Sequence, residues 1–240
     1  MRIIPVMISF IAFLLGQFRY YFIYPKMDEE GKSDERYESA YPKIQKIFEK
    51  ALKLSGSEII VHGRENIPTD QAVLYVANHS SFCDIPVLFC NTVHGCGFVA
   101  KDSLKKVPLL WRYMGFVNSE FLDRDDVRQG MEVIKSAAKT VKGGHSMAIF
   151  PEGTRGQDAE PAEFKEGSLR IAVTAKAPVV PVAIKGTADM MENHKKFVLR
   201  PATVHITFGE PIDIASLPRA ERKHVGASIR QWIIDTNKEL

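Results

Sequence analysis

The chain has 240 residues, 45% of them apolar and 25% charged, enough for one well-cored domain with a short appendage and unlike disordered or fibrous chains. A formal net charge of +3, with no Lys/Arg stripe and no zinc-finger or RNP pattern, argues against a nucleic-acid partner but suits an anionic membrane surface. Cys83, Cys90 and Cys96 are odd in number and sparse, which reads as a reducing compartment rather than a disulfide framework. Cys90, His94 and Cys96 lack the paired spacing and fourth ligand of a structural zinc site, so no metal is expected.

The amino terminus is the strongest anomaly. Ile3 to Gly16 is apolar apart from Ser9, and Phe18, Tyr20, Tyr21, Phe22 and Tyr24 follow, with Arg19 among them. As a helix the apolar run reaches only about 21 Å, short of the roughly 30 Å hydrocarbon core. Tyr-rich flanks with one Arg belong at the membrane interface. No small-residue cleavage site follows, which favours an anchor over a signal peptide. After the charged break Asp28 to Arg36, Tyr37 to Leu54 spaces Tyr41, Ile44, Ile47, Phe48, Ala51 and Leu52 as a helical stripe interspersed with lysines. That pattern fits a helix lying on lipid or one packed on the domain, and the preceding apolar run favours lipid. Residues 1–56 are thus expected to form a two-helix membrane anchor, and 57–240 the main domain.

Beyond Ser55-Gly56 short strands alternate with helices. Strands are expected at Glu58 to His62, Ala72 to Ala77, Gly97 to Ala100, Ser146 to Phe150, Val179 to Ile184 and Thr203 to Phe208. The clearest helix runs from Asp125 to Lys142, with Val127, Met131, Ile134, Ala138 and Val141 on one face and Gly143-Gly144 as the stop. A further helix should follow Gly167, and another should close the chain from Arg219. The alternation predicts an α/β fold, a mostly parallel or mixed sheet flanked by helices.

In such sheets the functional loops leave the carboxyl ends of strands. The strand ending at Ala77 runs into Asn78-His79-Ser80-Ser81-Phe82-Cys83-Asp84. On one continuous helix a His and an Asp five apart would point about 140° away from each other. With a turn between them, and Ser80 or Ser81 as N-cap, the carboxylate can hold one ring nitrogen and leave the other to take a proton. Spacing alone also allows a His and an Asp that merely cap a helix. A second group, Phe150-Pro151-Glu152-Gly153-Thr154-Arg155, follows the apolar run Met147 to Phe150. Pro and Gly break that strand, and Arg155 offers five donors suited to a phosphate, although the same string could be a solvated turn.

Taken together, the two groups resemble the glycerophospholipid acyltransferase family, nearest to its bacterial lysophosphatidic acid members. The His-x4-Asp motif is similar to His79–Asp84, and the phosphate-binding motif to Phe150–Arg155. Phe164-Lys165-Glu166-Gly167 resembles a Phe-Lys-x-Gly element, and Val179 to Ile184 the family's Pro-containing strand. Lys101 and Arg124 sit where the family places further basic contacts. Two departures stand out: Lys101-Asp102-Ser103-Leu104 displaces the usual acidic-Leu pair, and the stretch from Gly115 to Arg124 is longer than the family's compact form.

The resemblance implies acyl transfer from acyl-CoA or acyl carrier protein to the sn-2 hydroxyl of lysophosphatidic acid, giving phosphatidic acid, with no bound cofactor. His79 and Asp84 would be catalytic, and Arg155, Arg124, Lys101, Glu152, Gly153 and Thr154 would bind the phosphate. Glycerol-3-phosphate or another lysolipid is the alternative acceptor. The implied place is the cytoplasmic face of the inner membrane, held monotopically by the N-terminal helices. The rivals are a non-catalytic lipid binder and a lipid hydrolase, the latter suggested by Gly144-His145-Ser146-Met147-Ala148. A nucleophile elbow needs a strand before the Ser and a helix after it, and here that order is reversed.

Overall fold

A computed structural model describes residues 2–93, 95–107, 109–123, 126–156, 160–194 and 198–240. Three helices open the chain where two are expected: α1 (Ile3–Gly16), α2 (Tyr20–Glu29) and α3 (Ser33–Ser55). The charged break shrinks to a short turn because Asp28 accepts from Ser33 Oγ at 2.8 Å and Arg36 Nε at 2.7 Å, closing it. No single described helix is long and apolar enough to cross a membrane; α1 and α2 reach that length only together, across a 56° bend. Gly56 then stops α3 in the left-handed conformation, at φ +71°, where a side chain is costly.

The alternation follows as β1 (Glu58–His62), β2 (Leu74–Ala77), α4 (Asp84–Asn91), β3 (Gly97–Lys101), α5 (Leu110–Phe116), β4 (Glu120–Leu122), α6 (Val127–Lys142) and β5 (Met147–Ile149). Then come α7 (Arg170–Ala175), β6 (Val179–Lys185), α8 (Thr187–Met190), β7 (Thr203–Phe208), α9 (Arg219–Arg222) and α10 (Val225–Glu239). All six expected strands form. β2 and β5 are shorter than expected, and the expected C-terminal helix is split between α9 and α10. At the start of α6, Asp126 caps the helix by accepting from the backbone N–H of Arg128 and Gln129; Asp125, the expected first residue, lies outside the described residues. The strand not expected, β4, settles the register of the long Gly115–Arg124 stretch: it pairs parallel with β3, Lys101 opposite Leu122.

The seven strands form one sheet in the order β1-β7-β6-β2-β5-β3-β4. From β6 to β4 every pairing is parallel, and β7 turns antiparallel against β6. β2 is therefore central, and its buried residues divide by parity. Tyr75 and Ala77, with Val73 just before the strand, join α3, α4 and α5 in one core, whereas Leu74 and Val76 join α6, α7 and α10 in another. Burial on both faces is why these strands read as continuous apolar runs.

The amino-terminal helices share the first of these cores. Val6, Tyr24, Tyr37, Ala40, Ile44 and Ala51 are buried in the same cluster as Tyr75 and Phe89. Phe48 of α3 links the two ends, with ring centroids 6.1 Å from Phe10 of α1 and 5.2 Å from Phe89 of α4. Arg36 bolts the layer down. Its buried guanidinium binds Asp28, the carbonyls of Gly115 and Phe116 at the end of α5, and Asn118 Oδ1 at 2.9 Å. Cations are favoured at a helix C-terminus, and the stranded carbonyls would lose their donors without it. Arg36→Ala should cost about 2 to 3 kcal/mol, lowering Tm by roughly 5 to 10 °C in a thermal melt. A shift under about 2 °C would mean that water replaces the guanidinium without penalty.

Candidate active site

The carboxyl ends of the three adjacent strands β5, β2 and β6 supply the site. Asn78 leaves β2 and clasps β6: its Nδ2 donates to Ile184 O and its Oδ1 accepts from Ile184 N, both at 2.8 Å. That clasp turns His79 out at the strand end. Both peptide groups of His79 are then held by the loop after β5. Its N–H donates to Glu152 Oε1 at 2.6 Å, and its carbonyl accepts from Gly156 N at 2.8 Å. The imidazole lies against Phe150, centroids 4.1 Å apart and planes 18° apart, which fixes its rotation.

Asp84 opens α4 and is fully buried. Its Oδ2 takes three donors at 2.8 Å: His79 Nδ1–H and the backbone N–H of Ser80 and Ser81. Thr187 Oγ–H donates to Oδ1 and accepts from Ser80 Oγ at 3.1 Å. A carboxylate accepts only, so Nδ1 carries the ring proton and Nε2 presents its lone pair. Nε2 has no hydrogen-bond partner among the described residues, and the His79 side chain is 15% exposed. The N-cap expected at Ser80 or Ser81 lies instead at Cys83. The serines have other work: their amides serve Asp84, and Ser81 Oγ accepts from Cys83 N and donates to Glu192.

The expected phosphate residues divide into those that meet this loop and those that do not. Glu152 is buried and bridges His79 N–H to Ala162 N–H. Burial raises its pKa, partly opposed by those two hydrogen bonds. Arg155 Nη1 donates to Glu192 at 3.0 Å, and its guanidinium carbon lies 3.7 Å from the Phe82 ring centre, which brings it onto the 79–84 loop. Gly153 turns the β5 loop at φ +78°, where a Cβ would come within 3.1 Å of Lys165 Nζ. Thr154 is exposed on that loop, and Lys101 is exposed at the end of β3. Neither makes a hydrogen bond to a described side chain. Arg124 lies outside the described residues.

Three residues of the site escaped sequence reasoning: Thr187 beneath Asp84, Glu192 beside Arg155, and Lys165 over Gly153. Thr187 follows the end of an expected strand, the one available signal. Lys165 stood within a noted motif, and nothing local marks Glu192.

Ser146 sits at the amino end of β5, where its Oγ accepts from Val73 N at 3.1 Å. That is the end of the sheet opposite His79, so no elbow serine faces the imidazole. Burial pushes the Cys83 thiol up to about 11 and Cys90 up to about 12, so neither is an activated nucleophile at neutral pH. Among the described residues no three His, Cys, Asp or Glu side chains cluster as a metal site; His94 lies outside them.

A family model described as Acyltransferase matches residues 58–185, which span β1 to β6 and include His79, Asp84 and Arg155. A 1-acyl-sn-glycerol-3-phosphate acyltransferase of Borreliella burgdorferi is 31% identical, covering 77% of this chain and 73% of that protein. One from Chlamydomonas reinhardtii is also 31% identical, covering 76% of this chain, and the chain spans only 56% of that protein's length. The crystal structure of the 1-acyl-sn-glycerophosphate (LPA) acyltransferase of Thermotoga maritima superposes with a TM-score of 0.73 at 28% identity. That match covers 99% of this chain and 98% of that one, so it includes the three N-terminal helices.

Proposed function

The chain belongs to the acyltransferase family, and on that premise we propose that it transfers a fatty acyl group from an acyl thioester to the sn-2 hydroxyl of lysophosphatidic acid, forming phosphatidic acid. The observation that carries this reading is the His79–Asp84 pair, 2.8 Å apart, on the same short loop that seats Arg155. The acceptor hydroxyl gives its proton to Nε2 as its oxygen attacks the thioester carbonyl. Asp84 stabilises the imidazolium, and the tetrahedral intermediate then expels the thiolate, which recovers the proton. A thioester is already an activated donor, so acyl-CoA or acyl carrier protein suffices as co-substrate.

Arg155 grips the acceptor phosphate, with Lys101 and Arg124 assisting. Glu152, Gly153 and Thr154 shape the loop that presents it. Fixing the phosphate fixes the hydroxyl beside His79, which is the proximity contribution. Purified protein, one acyl-CoA and a panel of acceptors, read out by lipid mass spectrometry, tests the reading. Phosphatidic acid should dominate; preference for glycerol-3-phosphate or for a phosphate-free lysolipid would reassign the acceptor. Arg155→Lys keeps the charge and loses the fork, so the acceptor KM should rise about tenfold with kcat little changed. A change confined to the donor KM would move Arg155 to the donor's phosphates.

The same reading places residues 1–56 on the membrane as its anchor and 57–240 as the catalytic unit. Ile4, Met7, Ile8, Ile11 and Leu15 leave an exposed apolar stripe on α1, which Phe18 and Phe22 continue. The opposite face of α1 packs on α3, so the stripe is free to enter one leaflet. The acceptor and product are both bilayer lipids, and the cytoplasmic face of the inner membrane is the side we assign. Ile8→Glu with Ile11→Glu should release the protein from anionic vesicles in a flotation assay and leave turnover on a short-chain, water-soluble acceptor within about twofold. Vesicle binding unchanged by both substitutions would remove α1 from the membrane.

A further inference from the structure

Glu192 lies in the turn after α8, beyond the stretch matched by the family model. Its carboxylate takes three donors. Ser81 Oγ–H donates to Oε2, while Phe82 N–H at 2.9 Å and Arg155 Nη1 at 3.0 Å share Oε1. Two of these belong to the loop that carries His79 and Asp84. The third belongs to the guanidinium assigned to the acceptor phosphate. One carboxylate thus joins the acid–base pair to the phosphate clamp.

The order of attachment decides what the residue does. Ser81 is fully buried and the Phe82 donor is backbone, so Glu192 is anchored on the catalytic loop whether or not Arg155 is present. Arg155 is the exposed partner, its side chain 37% accessible against 19% for Glu192. Its guanidinium has one edge on Glu192 and one face on the Phe82 ring. Its Nε and Nη2 donors have no hydrogen-bond partner among the described residues. A long side chain held at an edge and a face loses little further freedom when it binds an anion. A phosphate that displaced Glu192 would instead strand a buried hydroxyl and a backbone amide. That argues against Glu192 as an internal competitor for the site.

Resting on the reading of a phosphate-bearing acceptor, we propose that Glu192 is a positioning residue. It orients the free donors of Arg155 toward the acceptor phosphate and sets their distance from His79. The effect should therefore fall on the acceptor and run through Arg155. Glu192→Ala should raise the acceptor KM about tenfold and leave the donor KM within about twofold. Glu192→Gln keeps an oxygen for Phe82 N–H and Arg155, and should recover the acceptor KM to within about threefold of wild type. In an Arg155→Ala background, Glu192→Ala should add less than about twofold, because its target is gone.

The experiment is that double-mutant cycle, run on the full chain with acyl-CoA fixed and lysophosphatidic acid varied, folding being checked by near-ultraviolet circular dichroism. If Glu192→Ala does not fold, the cycle is run with Glu192→Gln, whose smaller rise should likewise vanish with Arg155→Ala. An unchanged acceptor KM overturns the proposal. A lowered KM does so too, by showing a competing anion, and equal rises in both backgrounds reduce Glu192 to a structural part. Absence of wild-type turnover on every phosphate-bearing acceptor is a different failure. It brings down the function reading first, and this proposal with it.

Discussion

Replacing His79 by Ala is expected to cut turnover by at least about 100-fold, the lower end of what a positioned general base contributes. The fold should survive, because what ties this residue to its surroundings is mostly main chain. Glu152 takes its N–H and Gly156 donates to its carbonyl whatever the side chain. What disappears is the proton acceptor, its contact with Phe150 and the Nδ1–H bond to Asp84, which keeps its three other donors. Steady-state kinetics should therefore show a collapsed kcat and an acceptor KM within about threefold of wild type. Retention of more than about a tenth of wild-type kcat would remove His79 from proton transfer.

Asp84 should respond to two substitutions in different ways, and the contrast separates charge from scaffolding. Asp84→Ala leaves four donors without an acceptor: His79 Nδ1, the amides of Ser80 and Ser81, and Thr187 Oγ. Each buried donor left unsatisfied costs about 1 to 3 kcal/mol, so that variant should lose several kcal/mol and unfold at low denaturant. Asp84→Asn keeps an oxygen where three of the four donors converge. Its amide nitrogen would take the Oδ1 place, where the Thr187 hydroxyl can accept instead of donate. Stability should then fall by only about 1 kcal/mol, while kcat drops roughly 100- to 10,000-fold for want of a charge beside the imidazolium. Denaturant melts and kcat on both variants check this. An Asn variant as unstable as the Ala variant would make Asp84 a scaffold residue first.

The parts legible in the sequence are those whose signal is local. The apolar runs of β2 and β6 are buried on both faces, so composition alone marks them. The His79–Asp84 spacing and the Pro-Glu-Gly-Thr-Arg string sit at ends of expected strands, where the topology rule directs attention. What stayed hidden depends on contacts distant in the chain. Thr187 and Glu192 reach the 79–84 loop only because β6 lies beside β2, a pairing that no periodicity records. The N-cap was misplaced for a related reason. Ser80 and Ser81 have the right chemistry, but Asp84 reaches back for their amides and Glu192 takes the Ser81 hydroxyl. At the amino terminus, composition identified an apolar segment and a helical stripe. It did not show that Arg36 would reach across to the end of α5 and draw α3 into the core. β4, three residues long, is too short to show a period at all.

On the proposed function, the acyl group passes directly from the thioester to the acceptor hydroxyl, with no covalent enzyme intermediate. Rapid-quench measurement of free thiol, with acyl-CoA in excess over enzyme and lysophosphatidic acid either present or absent, tests it most directly. With the acceptor, thiol should appear in equal amount to phosphatidic acid; without it, none should appear beyond the background of the His79→Ala variant. A burst of thiol equal to the enzyme concentration in the absence of acceptor, or free fatty acid as the main product in its presence, would contradict the account.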